Sequence, residues 1–350
     1  MAGNSYGRIF RLTTFGESHG IAVGGIIDGC PANIEIDEDF IQQKIAQRQV
    51  GAPRNDKNTI IWLSGLLNGK TTGTSLAFMI YNDDHHSKDY QQEQFILKPS
   101  HGHYVYLKKF GVFDYRGGGR ASGRETIVRV IAGCIAMQYL KTFNIDIQSY
   151  TLQIGNAKIE NFPHNNFTIA NTNRFHCPDK MIAEQMEDIL VDCRNNGDTI
   201  GCKVGCIVKN LPIGLGNPIF DKLSADLAKA IMTINAAKGF EYGLGYKFAE
   251  SYGSQVNDLY NSDFSTKTNY SGGITAGISN GEILYFTCVF KPISTIMKDQ
   301  ESIDIYGQKA TLKGKGRHDI CLAPRVLPIV EAMAALCLIN HLLEFNAYKQ

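Results

Sequence analysis

The stretch RGGGRASGRETIVRVIAGCIA, residues 116–136, divides into a basic, glycine-rich half and an apolar half. Ser122-Gly123-Arg124-Glu125 has the Ser-x-x-Glu spacing of a capping box, which sets a helix start at Ser122. The run from Ile127 to Ala136 is apolar almost all the way round a helical wheel. Such a helix is expected at the centre of the molecule, covered on most sides. Ahead of it, Gly117 to Gly119 stand between Arg116 and Arg120. Glycines let backbone N–H groups approach an oxyanion, the helix dipole favours negative charge, and guanidinium groups fork onto phosphate or carboxylate. The alternative is a tight turn with solvated arginines. An arginine-glycine RNA-binding tail does not fit a motif that occurs once and leads into an apolar helix.

Working outward, Ile21 to Ile27 and Ile283 to Val289 alternate as strands do. Leu223, Leu227, Ala230, Ile231 and Ile234 repeat at helical spacing, with Gly239 as the expected stop and Asn235 near the helix's C-terminal end. Met181, Ile182, Met186, Ile189, Leu190 and Cys193 mark another helix, closed by Gly197. Ile329 to Leu343 is interrupted by Glu331, Asn340 and His341 and falls short of a membrane span of about 20 residues, so it reads as a buried helix. No long Pro, Ser or charge-rich linker divides residues 1–350 and no internal repeat is visible, so the expectation is one domain.

Composition narrows the function. With 35 Lys plus Arg against 34 Asp plus Glu, no whole-molecule field draws the chain to nucleic acid or to an anionic membrane, so anion binding must be local. The start, Met1 to Arg8, lacks the apolar run of a secretory signal, which points to the cytoplasm. Nine cysteines, an odd number with no Cys-x-x-Cys, fit free thiols in a reducing compartment. Cys202 and Cys206 are expected on one face of a strand as structural residues, not in a metal site.

Two nucleotide motifs fail on spacing. Gly65 to Thr71 is one residue short of a P-loop. Gly214-x-Gly216 and Gly243-x-Gly245 lack the third glycine of a dinucleotide fingerprint. Other segments carry candidate chemistry. In Gly16-Glu17-Ser18-His19-Gly20 a histidine between glycines follows a strand-like run, placing a neutral-range titrating group at a strand end with little cover. The alternative is a solvated loop histidine. His101 and His103 in Lys98-Pro99-Ser100-His101-Gly102-His103 read as catalytic, metal-binding or inert, metal being the weakest reading because no third ligand stands at the right spacing. Asp319 in Arg317-His318-Asp319, beyond Lys313-Gly314-Lys315-Gly316, suits an ion pair or proton acceptance. Lys291-Pro292-Ile293-Ser294-Thr295 offers an ammonium and two hydroxyls to a phosphate.

Taken in order and spacing, the blocks at Gly16–Gly20, Arg116–Glu125 and Arg317–Asp319 resemble the chorismate synthase family, with likeness from Met1 to about Leu343. The resemblance implies an α+β fold, a single domain with central helices sandwiched between antiparallel β-sheets, assembled as a homotetramer. It implies an anti 1,4-elimination of phosphate and a C6 hydrogen from 5-enolpyruvylshikimate 3-phosphate to give chorismate, with reduced FMN as cofactor and no metal. By that analogy His19 protonates the departing phosphate, His101 protonates the reduced flavin, and Asp319 draws a proton from flavin N5. Arg48, Arg54 and Arg124 match the substrate side, where some descriptions place a nicotinamide nucleotide. The flavin contacts carry over to Arg120, Ala121, Ser122, Asn235, Ala236, Ala276, Lys291, Pro292, Ile293, Ser294, Thr295 and Arg317. The runner-up is a bifunctional form that also reduces its FMN with NADPH. A flavin oxidoreductase would show net hydride transfer, and a non-catalytic phosphate-binding module would tolerate loss of both histidines. This sequence departs from the family pattern at Ala121, at Gly102-His103, at Ile293 and at Ile320, and it is shorter between Arg54 and Leu63.

Overall fold

A computed structural model describes residues 3–51, 56–84, 94–160, 173–314 and 319–348. Strands β1 (Ser5–Tyr6), β2 (Arg11–Phe15), β3 (Ala22–Asp28), β4 (Ile61–Ser64) and β5 (Leu76–Tyr81) form an antiparallel sheet in the order β1-β2-β3-β5-β4. A second antiparallel sheet holds β6 (Asp146–Ile154), β7 (Ala157–Lys158), β8 (Cys202–Lys209), β9 (Ala237–Tyr242) and β10 (Leu284–Phe290) in the order β9-β10-β8-β6-β7. The alternation read at Ile21 and Ile283 therefore marks β3 and β10 to within a residue.

The helices are α1 (Glu38–Gln49), α2 (His103–Phe110), α3 (Thr126–Lys141), α4 (Lys180–Asn195), α5 (Leu223–Met232) and α6 (Leu327–Tyr348). Between the sheets lie α3 and α6, α3 packing on β3 of the first sheet and α6 on β6 of the second. This is the α+β sandwich with central helices that the family resemblance implies. The two helix backbones meet at Gly133, where an added Cβ would stand 2.3 Å from the Cβ of Ala332. Only glycine permits that approach.

Helix α6 is the one described helix long and apolar enough to cross a membrane, and Leu327 through Leu342 are buried within the protein. Two of its three polar interruptions, Glu331 and Asn340, are hydrogen-bonded in the core, as buried polar groups must be. Glu331 accepts from Ser149 N (2.9 Å) and Oγ (3.0 Å) and pairs with Lys44 at 2.5 Å. Burial alone would lower the Lys44 pKa, but the Glu331 carboxylate outweighs it and the net shift is upward. Asn340 Oδ1 takes the N–H groups of Arg8, Ile9 and Phe10, and His341 Nε2 lies 3.1 Å from Asp226. One residue type thus ties the first sheet, another the second, to the same helix.

Two local expectations need correction. A 3-10 turn, Gly123–Glu125, precedes α3, and Ser122 Oγ accepts from Arg124 N at 3.3 Å. The reciprocal half of the box is replaced by a 2.7 Å pair between Glu125 and Arg129. Gly239 does not stop α5, which ends at Met232, where Thr233 Oγ1 donates to Ala230 O. The chain turns instead through Ala236 at φ 66°, and Gly239 lies inside β9. Gly65–Thr71 is a hairpin whose Asn68 and Gly69 both take left-handed angles, the Asn-Gly turn that twisted strands prefer. Cys202 and Cys206 are buried in β8, and all nine cysteines are free thiols.

Candidate active site

The 3-10 turn that opens α3 faces a cavity of about 600 Å³, within the range of small-molecule sites. It is closed by the glycine run, the Asn235–Ala236 turn, Lys291–Thr295 and the Asp319–Val326 segment leading into α6. Two groups of cations line it.

In the first group, Lys291 Nζ donates to Ser294 Oγ (2.8 Å) and Ser100 O (3.1 Å). Buried Lys98 lies behind it and donates to Thr295 Oγ1 at 3.2 Å. Asn235 Nδ2 donates to Ala121 O at 3.0 Å, while its buried Oδ1 has no partner. His101 borders the same space with Nδ1 buried and unpaired, its ring edge-on to Phe113 at 5.9 Å. Burial holds the His101 pKa down to about 4, and Lys98, His103 and Lys291 add to the effect. His103 is stacked on Phe113 at 4.5 Å.

The second group centres on Arg48, at the end of α1 and only 4% exposed. Its Nε donates to Thr126 Oγ1 at 2.9 Å and its Nη2 to Gly123 O at 2.5 Å. Among the described residues no carboxylate pairs with it. Burial pulls its pKa down to about 9, with Arg325 and then Arg124 as further causes. A buried guanidinium that no carboxylate among the described residues pairs directly suits a site that receives an anion. Arg325 donates from Nε to Arg48 O at 2.9 Å and from Nη1 to Asp319 Oδ2, while Asp319 Oδ1 is buried without a partner.

Other expected residues fall differently. Arg120 lines the cavity, held by Thr14 Oγ1 (2.6 Å) and Gly16 O (3.1 Å) at the end of β2. Ala121, Ser122, Ala236 and Pro292 to Thr295 line it too. His19 does not have the open position expected of it. It is 7% exposed and lies behind Gly117, where an added Cβ would stand 2.6 Å from its Nε2. The Gly16–Gly20 loop is held there by Asn82 Nδ2, which donates to Glu17 O and Gly20 O. Arg124 is not in the cavity wall. Its guanidinium pairs with Asp56 (3.3 Å) and donates to Asn58, Asn82 and Tyr81 O. Ala276 sits exposed on the turn between Ile274–Thr275 and Ile278–Ser279, outside the cavity wall. Arg54 and Arg317 lie outside the described residues. The sequence reading missed Arg129 and Arg325, both cavity residues. The only signal was their position, one within the first turn of α3 and one just before α6.

A family model described as chorismate synthase matches residues 10–343. The chain belongs to the chorismate synthase family. It is 50% identical to the chorismate synthase of Cytophaga hutchinsonii, covering 99% of each chain, and 47% identical to that of Christiangramia forsetii over the whole of both. A crystal structure of chorismate synthase superposes with a TM-score of 0.76 at 27% identity, covering 97% of this chain and 93% of that one. As a member of this family the protein is a lyase of the shikimate pathway that converts 5-enolpyruvylshikimate 3-phosphate to chorismate.

Proposed function

We propose that the elimination takes place in the cavity at the start of α3, with reduced FMN and the phosphorylated substrate held there together. The observation that carries this reading is Arg48, without a paired carboxylate among the described residues, beside a cavity lined by residues with unpaired buried polar atoms. Arg48 lacks a carboxylate among the described residues, and Asn235 Oδ1, His101 Nδ1 and Asp319 Oδ1 lack hydrogen-bond partners. The donor set suits the cofactor. Lys291, Ser294 and Thr295 offer an ammonium and hydroxyls to a flavin phosphate, and Asn235 offers an amide acceptor to a ring N–H. Arg120, Ala121, Ser122, Ala236, Pro292 and Ile293 complete that wall, with Arg317 and Ala276 carried by family likeness alone.

Reduced FMN supplies electron density to the substrate as phosphate leaves and recovers it, so the reaction needs no net oxidant. The protein supplies the charges and protons. Arg48, with Arg54 by analogy, binds the substrate's anionic groups by charge-assisted hydrogen bonds. His19, which lies behind Gly117 with its Nε2 where a side chain at that position would crowd it, gives a proton to the departing phosphate. His101 is neutral in the ligand-free protein, and a bound phosphate dianion raises its proton affinity, so it gains its proton only when the site is filled. Asp319 accepts a proton at Oδ1, the oxygen that Arg325 does not hold. NADPH enters only as a flavin reductant.

The same reading takes residues 1–350 as one domain working in the cytoplasm as a homotetramer. Exposed Tyr246, Tyr252, Tyr260 and Phe264, all between β9 and β10, form apolar surface suited to self-association. Anaerobic titration calorimetry with reduced FMN tests the cofactor site. Asn235→Ala is expected to weaken binding by about tenfold, the worth of one hydrogen bond. Unchanged affinity would move the flavin elsewhere.

A further inference from the structure

We propose that Arg325 is a positioning residue, holding Asp319 by one oxygen and keeping its carboxylate off Arg48. The inference rests on the reading of Asp319 as the proton acceptor. Arg325 uses both ends of its fork. Nη1 pairs with Asp319 Oδ2 and Nε donates to the carbonyl of Arg48 at 2.9 Å, so the segment entering α6 is tied to the end of α1. The pair is largely buried, with side chains 18% and 16% exposed, and is therefore less screened than a surface pair. A carboxylate rotates broadly about its last bond, and a single guanidinium on Oδ2 fixes which oxygen is left over. Oδ1 is that oxygen, without a partner, in a residue that lines the cavity.

The second half of the role is electrostatic. Asp319 acts on Arg48 strongly enough to be among the groups that raise its pKa, and Arg325 is among those that lower it. With Arg325 removed, Asp319 keeps Arg48 as a cation whose charge it already acts on. The carboxylate would then occupy the guanidinium meant for the substrate's anion. Arg325 thus acts on affinity through Arg48 and on rate through Asp319.

Four proteins separate these effects: wild type, Asp319→Asn, Arg325→Gln and the double variant. In flavin-free protein, titration calorimetry with 5-enolpyruvylshikimate 3-phosphate is expected to show Arg325→Gln weakened by roughly 10- to 100-fold. The double variant is expected to recover most of that affinity, because no carboxylate remains to capture Arg48. Unweakened binding in Arg325→Gln, or a loss that persists in the double variant, overturns the proposal. In turnover with reduced FMN, Arg325→Gln is expected to lower kcat on the order of 10²-fold through misplacement of the base. The double variant should be no slower than Asp319→Asn. Multiplying losses would give Arg325 an independent role and also overturn it. Wild-type kcat in Asp319→Asn would remove the base reading while leaving the binding comparison to judge Arg325. Should Arg325→Gln fail to fold, Arg325→Lys carries the comparison, since an ammonium keeps the charge but not the fork. It is then expected to retain part of the affinity and to lose kcat, and wild-type values in both would refute the role.

Discussion

Gly117→Ala tests the close packing of Gly117 on His19. Gly117 has φ 65°, and a Cβ there would lie 2.6 Å from His19 Nε2, 2.7 Å from its Cδ2 and 3.3 Å from Ser18 Oγ. Ordinary contact begins at 3.4 Å, so the imidazole must retreat by about 0.8 Å. There is little space to receive it, since His19 is buried and its loop is fixed by Asn82 at 3.0 and 2.8 Å. A misplacement near 1 Å costs on the order of 10²-fold in rate. Gly118→Ala is the control. It has φ 83°, but its Cβ would meet nothing closer than His101 Cε1 at 3.6 Å. Both variants carry the left-handed penalty of about 1 to 2 kcal/mol, so both should lose thermal stability to a similar degree. In steady-state assays with saturating substrate and reduced FMN, Gly117→Ala is expected to fall about 10²-fold in kcat below Gly118→Ala. Equal kcat in two folded variants would refute the claim that a glycine at 117 is what lets His19 keep its place.

His101, held down to about 4 chiefly by burial, is expected to make the ligand-free protein less stable in mild acid. Above the ordinary histidine value neither state is charged. As pH falls from about 6.5 toward 4 the unfolded chain takes up a proton that the folded one refuses, so stability is lost across that window, by about 2 kcal/mol at pH 5. Urea unfolding at pH 7 and pH 5 should show that loss in wild type and its absence in His101→Asn. Equal losses would put the acid sensitivity elsewhere. Arg124→Met is expected to lower stability by about 3 to 5 kcal/mol by removing the ion-pair partner of Asp56, whose side chain is 2% exposed. If urea unfolding is unchanged and only substrate affinity falls, Arg124 belongs to the site after all. Gly133→Ala gains about 1 kcal/mol of helix propensity but forces α3 and α6 apart at a 2.3 Å contact, and the urea midpoint should fall. A rise would contradict the close crossing.

Much of the frame was legible because the physics behind it is local. Period-two alternation at Ile21 and Ile283 gives strands, and the apolar circumference of Ile127 to Ala136 gives a covered helix. Of the glycine run and its flanking arginines, Gly117 and Arg120 line the cavity before α3, while Arg116 pairs with Asp114. What stayed hidden depends on partners distant in the chain. Arg124 looked like a phosphate ligand beside Arg120, and nothing near it showed that Asp56, Asn58 and Asn82 would claim its guanidinium. Arg325 drew no reading from the sequence, and only folding sets it between Asp319 and Arg48. His19 read as uncovered because its neighbours are glycines, yet the cover comes from Gly117, in the second block. Gly239 misled because Thr233 ended α5 and Ala236 took the left-handed turn where a glycine was expected.

The central claim is that the flavin in this cavity lends electrons and recovers them. An anaerobic cuvette holding the protein, excess 5-enolpyruvylshikimate 3-phosphate and a fixed small amount of reduced FMN tests it, with chorismate and the flavin spectrum followed together. The account requires many chorismates per flavin and a reduced spectrum once substrate is exhausted. One chorismate per flavin, with FMN left oxidised, would contradict it.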